Sequence, residues 1–544
     1  MAITIRKIAC PNGNVSNSDD SYTASVASGG SLELPDSQIN VNGSNQGNVV
    51  SVKTIDVNIT DGTNPVVPDA VSLSGNTLDV EVFSTKWERP DDWLAMPSVS
   101  SSDDTFVGLH AVFEDGANFV AFTFTTDTGD YQVDWGDGNI DVVASNTQAQ
   151  HQYDYSTYDT GSTTLSSRGY KQAIITVTPV SGELRTADFQ KRYTTTPTIN
   201  FGYTTGFLDC ILSMPNANTG RSIIFGGSTM RHGFVQRFSM LNSGGATSMY
   251  LMFYICPSLQ SIQLLDTSNV TNMRQMFQGC ELLQTIPLFD TSNVTTMYAM
   301  FNNSGLVKAI PLLDTSNVTD MKQMFANCYS LQEVPLFDTS NVTEMDLMFA
   351  NCYSLQSVPL FDTSNVTRMY YMFDDCHSLQ TIPLFDTSNV TDMTAMFERC
   401  YSLQTIPLLD TSNVTTMIGM FQFCSSLQSI PLLDTSNVSN MQSMFSSCVS
   451  LQEAPAFNTT SVTIQNGQFA TCYSLTKTDI ICRKSVSFQR ALLSQSELVN
   501  IFNNLIDLTG LTSQNINITD CWGASALTAA ERQIATDKNW TITG

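Results

Sequence analysis

A 24-residue unit recurs without a change of register from about residue 251 to residue 475, and it constrains the fold more than any other feature. Its Asp-Thr-Ser-Asn-Val core begins at Asp266, Asp290, Asp314, Asp338, Asp362, Asp386, Asp410 and Asp434. A degraded copy follows at 458–462, and a fainter one precedes the series at 242–246. A fixed period of this length is typical of a solenoid, in which neighbouring units bury one another's apolar faces. This architecture favours binding over chemistry.

One repeat is predicted to contain a strand, a turn and a helix. In the copy that starts at Leu331, the spacing predicts that Leu331, Val334 and Leu336 point into the core and that Phe337 faces a concave sheet. The run 338–341, Asp-Thr-Ser-Asn, has side chains that turn a chain and cap a helix. The aspartates given this structural role include Asp290, Asp338 and Asp386.

The second half of the repeat shows a helical pattern of apolar residues. Val342, Met345, Met348 and Phe349 fall at i, i+3, i+6 and i+7, which predicts a helical stripe that packs on the same core. The two residues before Met348 differ from copy to copy, and the corresponding pairs are predicted to face solvent.

A proline column lies inside the predicted strand, at Pro287, Pro311, Pro335, Pro359, Pro383, Pro407, Pro431 and Pro455. Each proline removes a hydrogen-bond donor, so the parallel ladder must be short or interrupted there. The column two residues further on is large and apolar. If it is exposed, it is a stripe of the kind that marks binding sites; if the strand is rotated by one residue, it is core. The candidate binding surface comprises Phe289, Phe337, Phe361, Phe385 and Phe457, with Tyr298, Tyr370 and Tyr371 from the variable pairs.

Nine of the 13 cysteines occupy one column of the repeat, in which Ser304 takes a tenth position. Stacked side chains in one column point the same way, which is a poor geometry for disulfides. We therefore predict a structural ladder of buried free thiols rather than disulfides or a metal site. The nine are Cys256, Cys280, Cys328, Cys352, Cys376, Cys400, Cys424, Cys448 and Cys472.

The repeat wording, Asp-Thr-Ser-Asn-Val-Thr-x-Met-x-x-Met-Phe-x-x-Cys-x-Ser-Leu, resembles the BspA-type leucine-rich repeat of surface proteins of bacteria, some protozoa and their phages. The resemblance covers residues 251–475 in eight clean copies. It implies adhesion or ligand binding by an extended face.

The chain before the repeats is predicted to be all-β, because short alternating runs are separated by turn residues. Residues 1–84 are interpreted as a small domain that serves anchoring or assembly or is a spacer, 85–104 as a connector, and 105–193 as a second β module. The run 133–138, which contains Trp135, resembles the PKD-type immunoglobulin-like sandwich, where this segment turns a corner beneath the core. Asp134 and Asp137 are read as turn residues in preference to calcium ligands.

Through the runs 106–113, 135–138 and 167–179, the segment 86–207 also resembles tailed-bacteriophage virion proteins. That resemblance implies contacts with other virion proteins through the N-terminal domains. Residues 194–250 are predicted to be a linker and an N-terminal solenoid cap with a degenerate repeat. Residues 476–544 are predicted to form an α/β cap with two helices and two strands, closed by Cys521 and Trp522.

The net charge and the distribution of apolar residues bear on the partners and the location of the chain. The chain has 50 acidic and 24 basic residues, a net charge of −26, which disfavours nucleic acid. The first residues lack the apolar core of a signal peptide, and no apolar run approaches the roughly 20 residues that span a bilayer. We therefore expect synthesis in a host cytoplasm without membrane insertion. No heptad pattern supports a coiled coil, although a homo-oligomer such as a trimer fits a virion appendage.

The candidate catalytic and metal-binding residues do not fall into a recognisable motif. His110, His151, His232 and His377 lie in different modules without metal-ligand spacing, and neither a phosphate-binding loop nor an HExxH motif is found. We expect no cofactor, no metal and no catalytic residue. The predicted function is a non-enzymatic adhesion protein of a bacteriophage particle, located in the virion, that binds a host surface protein or glycan through the solenoid. The alternatives are a bacterial cell-surface adhesin exported without a Sec signal and a tailspike-like glycan-degrading enzyme, which would need paired carboxylates.

Overall fold

The computed structural model describes residues 88–114, 118–191, 205–227 and 232–544, together with the backbone of seven strands before residue 82. The chain divides into two compact units, Met1–Pro90 and Asp91–Gly544. The two are considered separately.

The first unit contains antiparallel strands. They are β1 (Ala2–Ala9), β2 (Tyr22–Ser25), β3 (Ser31–Glu33), β4 (Thr54–Thr60), β5 (Pro65–Val66), β6 (Ala70–Ser74) and β7 (Thr77–Glu81). Two sheets result, with strand orders β2-β1-β4-β5 and β3-β7-β6. The all-β architecture of this unit and its role in anchoring or assembly stay predictions.

The second unit begins with two sheets that pack face to face. Its strands are β8 (Thr105–Val112), β9 (Phe119–Thr126), β10 (Tyr131–Asp134), β11 (Ile140–Val143), β12 (Gln148–Gln152), β13 (Lys171–Pro179), β14 (Leu184–Asp188), β15 (Phe207–Ser213), β16 (Ile223–Ile224), β17 (Arg237–Asn242) and β18 (Ser261–Leu265). One sheet has the order β11-β10-β13-β8-β15-β17-β18, and the other has the order β12-β9-β14-β16.

Aromatic side chains fill the space between the sheets. Phe106 on β8 lies 6.3 Å, ring centre to ring centre, from both Phe122 and Phe124 on β9, and 5.5 Å from Phe207 on β15. All four rings are fully buried. Such large apolar contacts across two sheets hold a sandwich together.

The larger sheet continues into the repeats. Strand β8 pairs with β15 in the antiparallel direction, whereas β15, β17 and β18 pair in parallel. The segment 194–250, expected to be a linker and a cap, therefore places two strands in the sheet shared by sandwich and solenoid. Sequence periodicity does not reveal this junction, because β15 lies before the first recognisable repeat.

The helix predicted in each repeat is wrong: residues 266–475, all of which the structure describes, contain no α-helix. In the copy at 297–304, alternate amides donate to carbonyls of the next repeat, as Met297 does to Asp320 at 3.0 Å and Phe301 to Met324 at 2.9 Å. The amides between them close turns within the copy. Left-handed backbone at Ala299 (φ 50°) and four residues later at Asn303 (φ 60°) produces this alternation.

The burial expected from the helical pattern is nevertheless confirmed, since Val342, Met345, Met348 and Phe349 are all fully buried. Turns that repeat about every four residues put nearly the same positions on one face as a 3.6-residue helix does. The pattern therefore identifies the face and not the backbone. Bonds to the next repeat replace helical bonds that a segment this short would hold only marginally.

The interrupted ladder expected at the prolines is confirmed. No strand is formed within residues 266–452, a range that the structure describes throughout. The amide of Phe337 instead bonds to the carbonyl of Pro335 at 3.0 Å, which makes a three-residue turn centred on Leu336. This turn puts Phe337 in the core at 2% exposure and Leu336 in solvent at 60%. The prediction that Leu336 points inwards is therefore wrong.

The C-terminal cap agrees with the predicted order of elements. Short strands β19 (Glu453–Ala454) and β20 (Lys477–Thr478) lead to β21 (Val486–Ser487), α1 (Gln495–Asn504), β22 (Gln514–Asn517), α2 (Ala529–Asp537) and β23 (Trp540–Thr543). Strands β21, β22 and β23 form a parallel sheet. Cys521 is buried and its thiol donates to the carbonyl of Phe488 at 2.9 Å, but Trp522 is 71% exposed and does not close the cap.

Candidate functional site

The Asp-Thr-Ser-Asn run is scaffold. Asp338 accepts hydrogen bonds from the amide of Ser340 at 3.1 Å and from its hydroxyl at 2.7 Å. Thr339 donates forward to the carbonyl of Asp362, and Asn341 donates backward to the carbonyl of Ser316. The turn prediction is confirmed, but the side chains join three successive repeats instead of capping a helix. The same side-chain bonds to Ser hydroxyls are made by Asp290 and Asp386.

The cysteine column is also scaffold. All twelve cysteines that the structure describes are buried free thiols. From Cys280 to Cys472, each thiol of the column donates to a phenylalanine carbonyl of the preceding copy, as Cys352 does to Phe325 at 3.1 Å. Ser304 makes the equivalent bond to Phe277 at 2.9 Å, which explains why serine fits there. Burial raises the pKa of these thiols, so they remain neutral donors. The ladder includes Cys280, Cys328, Cys352, Cys376, Cys400, Cys424 and Cys448.

The phenylalanines of the candidate binding surface belong to the core. Their exposed fractions are 1–7%, for Phe289, Phe337, Phe361, Phe385 and Phe457. Tyr298 and Tyr370 are half-buried beneath arginines, with Arg274 lying 4.1 Å from the centre of the Tyr298 ring and Arg368 lying 5.9 Å from that of Tyr370. Tyr371, also half-buried, packs edge-on against Tyr370 at 4.3 Å. The exposed-stripe interpretation of the phenylalanine column is thus wrong.

The exposed apolar stripe is instead the neighbouring column, here called the leucine stripe. Seven leucines at successive 24-residue intervals are each 59–63% exposed: Leu288, Leu312, Leu336, Leu360, Leu384, Leu408 and Leu432. At the inter-strand distance of ~4.8 Å, six intervals extend about 29 Å. Contiguous apolar surface of this kind is rare on isolated proteins and marks interaction sites. The sequence contains the column, but its outward orientation follows from the turn at Pro335.

A row of carboxylates borders the leucine stripe. The aspartate two residues after each leucine is exposed: Asp290, Asp314, Asp338, Asp362, Asp386, Asp410 and Asp434. Hydrogen bonds from the following serine hydroxyl hold the pKa of Asp290, Asp338, Asp362 and Asp386 below the usual value. These four carboxylates are therefore ionised at neutral pH, and the whole row of seven is here called the aspartate row.

A second exposed feature, here called the aromatic ladder, consists of the residues that follow four of the cysteines. Tyr329 stacks on Tyr353 at 5.0 Å, Tyr353 on His377 at 4.4 Å, and His377 lies 4.7 Å from Tyr401. The three tyrosines are 38–39% exposed. Because the rings cover one another's faces, the ladder presents mainly ring edges and hydroxyls.

A charged cluster adjoins this ladder. His377 Nε2 lies 3.2 Å from Asp375 Oδ1, and Arg399 contacts Asp375 at 3.3 Å and Glu398 at 3.0 Å. Asp374 is 9% exposed, and its Oδ1 lacks a hydrogen bond within the described structure, although Arg399 Nη1 lies 3.6 Å away. Burial, with the nearby Asp375 and Glu398, raises the pKa of Asp374 to about 7.

The Trp135 segment forms a turn. Trp135 is fully buried and donates through Nε1 to Asp141 at 2.8 Å. Asp134 accepts the amide of Gly136, and Asp137 accepts the amide of Asn139 together with His151 Nε2 at 2.8 Å. These carboxylates are engaged in turn bonds. Across the described ranges, no cluster of three or more His, Cys, Asp or Glu residues is placed to hold a metal.

The remaining histidines are structural. His110 is buried and stacks on Tyr153 at 5.3 Å, while His232 is buried, stacks on Phe225 at 4.1 Å and bonds to its carbonyl. No helix in the described part of the chain has the length and hydropathy to cross a membrane.

The fold and these ladders define a leucine-rich-repeat-like β-solenoid. The repeat region is similar to the family described as "Mycoplasma protein of unknown function, DUF285", which matches residues 247–357, 330–421 and 378–481. No curated protein matches the sequence significantly.

Two solved structures illustrate the likeness. A leucine-rich repeat protein from Eubacterium ventriosum is 17% identical, with a TM-score of 0.31, over 53% of this chain and 93% of that one. The plant peptide hormone receptor RGFR1 in complex with RGF2 is 14% identical, with a TM-score of 0.22, over 62% of this chain and 59% of that one. Nothing about binding follows from these likenesses.

Proposed function

We propose that this chain is a non-enzymatic adhesion protein of a bacteriophage particle, and that its solenoid binds a component of the host-cell surface. The leucine stripe carries the proposal, because seven exposed leucines in one row have no evident role in folding. The recurring Asp, Thr, Asn and Cys positions instead make the hydrogen bonds within and between repeats that are described above.

The column itself supplies evidence that folding does not require leucine. In the degraded copy that contains residues 458–462, this position is Ala456, yet the amide of Phe457 still bonds to the carbonyl of Pro455 at 2.9 Å. The turn therefore forms with a small side chain. Apolar surface exposed at each of seven copies is better explained by a partner than by packing.

The resemblance of residues 86–207 to tailed-phage virion proteins supports the particle rather than the cell as the carrier. The first unit and the sandwich would then contact other virion proteins. Immunogold electron microscopy with an antibody against the repeats tests the location: labelled particles are expected. Labelled bacterial cells with unlabelled particles would favour the alternative of a bacterial surface adhesin.

A binding experiment tests adhesion itself. The purified full-length chain, fluorescently labelled, is expected to bind host cells in a saturable manner. Leu336→Ala combined with Leu360→Ala and Leu384→Ala should abolish this binding without changing the circular dichroism spectrum. Cells that bind neither protein would contradict the adhesion proposal.

The charged cluster supports a second candidate, hydrolysis of a surface glycan. Asp374, with a pKa of about 7, would suit a general acid, and Asp375 and Glu398 are neighbouring carboxylates. Host polysaccharide incubated with the chain should then shorten, and Asp374→Asn should stop the reaction. Polysaccharide that keeps its full length would exclude this activity.

A further inference from the structure

We propose that the leucine stripe and the aspartate row together bind a cationic amphipathic α-helix presented by a partner protein. The inference deepens the proposed adhesion function and rests on it, because it names the chemistry of the host component. Two features of the face support it: its charge, and the spacing and length of the leucine stripe.

The first feature is charge. In the seven segments that run from four residues before each stripe leucine to two residues after it, the charged residues are seven aspartates and Glu333, against a single cation, Lys308. Their carboxylates lie close enough to interact, since Asp338 and Asp386 oppose the ionisation of Asp362. A partner that covers the leucines must come near this row, so positive charge on its flank is favoured.

The charge also argues against a second copy of this chain as the occupant. Two such faces packed together would bring two aspartate rows into one interface. Like charges placed opposite one another in a partly desolvated contact are costly. A basic partner would instead offset the repulsion among the carboxylates of the aspartate row.

The spacing indicates the form of the partner. The leucines recur at the ~4.8 Å distance between stacked repeats, close to the 5.4 Å pitch of an α-helix. A helix lying along the stripe can therefore offer one apolar side chain per turn to nearly every leucine. A stripe of about 29 Å corresponds to a helix of roughly 19 residues. This is the helix-in-groove mode, with anchors at i, i+3, i+4 and i+7.

The chain provides its own matched substitutions. Ala456 shows that alanine is compatible with the turn in the leucine column. Asn458 occupies the aspartate column and still accepts the amide of Thr460 at 3.0 Å, so asparagine preserves the turn without the charge. Leu336→Ala with Leu360→Ala and Leu384→Ala thus removes apolar surface, and Asp338→Asn with Asp362→Asn and Asp386→Asn removes charge.

The test uses the full chain and a synthetic helix of leucines and lysines, with binding followed by fluorescence anisotropy. The triple alanine variant should weaken binding at least about tenfold. The triple asparagine variant should weaken it and reduce its dependence on salt. Leu511→Ala is the control, because Leu511 is 64% exposed in the cap and far from the stripe in sequence; its binding should equal that of the wild type.

Specificity decides the outcome. A peptide of the same composition in scrambled order, which lacks an apolar face, should bind much more weakly; equal binding would overturn the proposal. Sedimentation of the chain alone should show no leucine-dependent dimer, and neutral lipid vesicles should not bind. A dimer or vesicle complex that the alanine variant abolishes would assign the stripe to a second copy or to lipid instead.

The result is separable from the adhesion proposal. Host cells that bind the alanine variant as well as the wild type would leave adhesion intact and refute this inference. Helix binding through the stripe without any binding to cells would support the inference and refute adhesion.

Discussion

The buried threonine column allows one hydrogen bond to be measured against an internal reference. Thr387 is fully buried, and its hydroxyl donates to the carbonyl of Asp410 in the next repeat at 2.7 Å. Thr291 occupies the same column at 2% exposure, yet its hydroxyl lacks a hydrogen-bond partner in the described structure. Replacing threonine by valine makes the same change of side chain at both positions, but it removes a hydrogen bond only at Thr387.

Thr387→Val removes a bond and leaves a carbonyl without its donor, which costs about 1–3 kcal/mol. Thr291→Val removes an unpaired buried hydroxyl, so its effect should be near zero or stabilising. Solenoids unfold locally, so hydrogen exchange read peptide by peptide is the suitable measurement. The free energy of local opening should fall around Thr387 and not around Thr291. Equal losses at both sites would show that shape, rather than this bond, makes threonine fit the column.

Three further predictions concern titratable and thiol groups. Cys376→Ser should cost less than about 1 kcal/mol, because Ser304 makes the same bond, whereas Cys376→Val should cost about 1–3 kcal/mol; equal urea midpoints would contradict this. The pKa of Asp374, raised mainly by burial to about 7, means that the folded state binds its proton more tightly than the unfolded state. Stability should therefore fall as pH rises from about 4 to about 7, and Asp374→Asn should raise the melting temperature above pH 7 but much less near pH 4; a pH-independent effect would argue against this. Burial lowers the pKa of His110 to about 3 and of His232 to about 4, so the unfolded state takes up protons first as pH falls below 6.5. The free energy of local opening around both histidines, obtained from hydrogen-exchange rates corrected for the intrinsic exchange rate at each pH, should fall between about pH 6 and pH 4, and an unchanged opening free energy would contradict this.

The aromatic ladder is the exposed feature that the sequence analysis missed. The aromatic ladder consists of Tyr329, Tyr353, His377 and Tyr401, which follow the cysteine in four successive copies, whereas the neighbouring copies carry Gly305 and Ser425 at this position. The stacking of successive repeats makes the four rings neighbours. The signal that would have found them is a comparison of copies at the position after the cysteine.

Local contacts were readable because they repeat. The period, the Asp-Thr-Ser-Asn turn, the free thiols and the buried Val, Met and Phe positions all follow from residue type and spacing. Each of these contacts joins side chains at a fixed spacing, so a contact inferred for one copy applies to the next. The order of elements in the C-terminal cap was also predictable from residue spacing, and in the structure Ser494 and Thr528 are the N-caps of its two helices.

What the sequence by itself determined is therefore the 24-residue solenoid and the burial of its recurring apolar positions. What only the tertiary structure decided is the path of the backbone between those positions and the direction of two adjacent side chains. A helix and a series of turns share nearly the same apolar pattern, and only bonds to the next repeat distinguish them. The turn at Pro335 likewise rotates Leu336 outwards and Phe337 inwards. The turn is local to one repeat, but the bonds between repeats align the seven exposed leucines in one row, so the stripe is a property of the assembled solenoid.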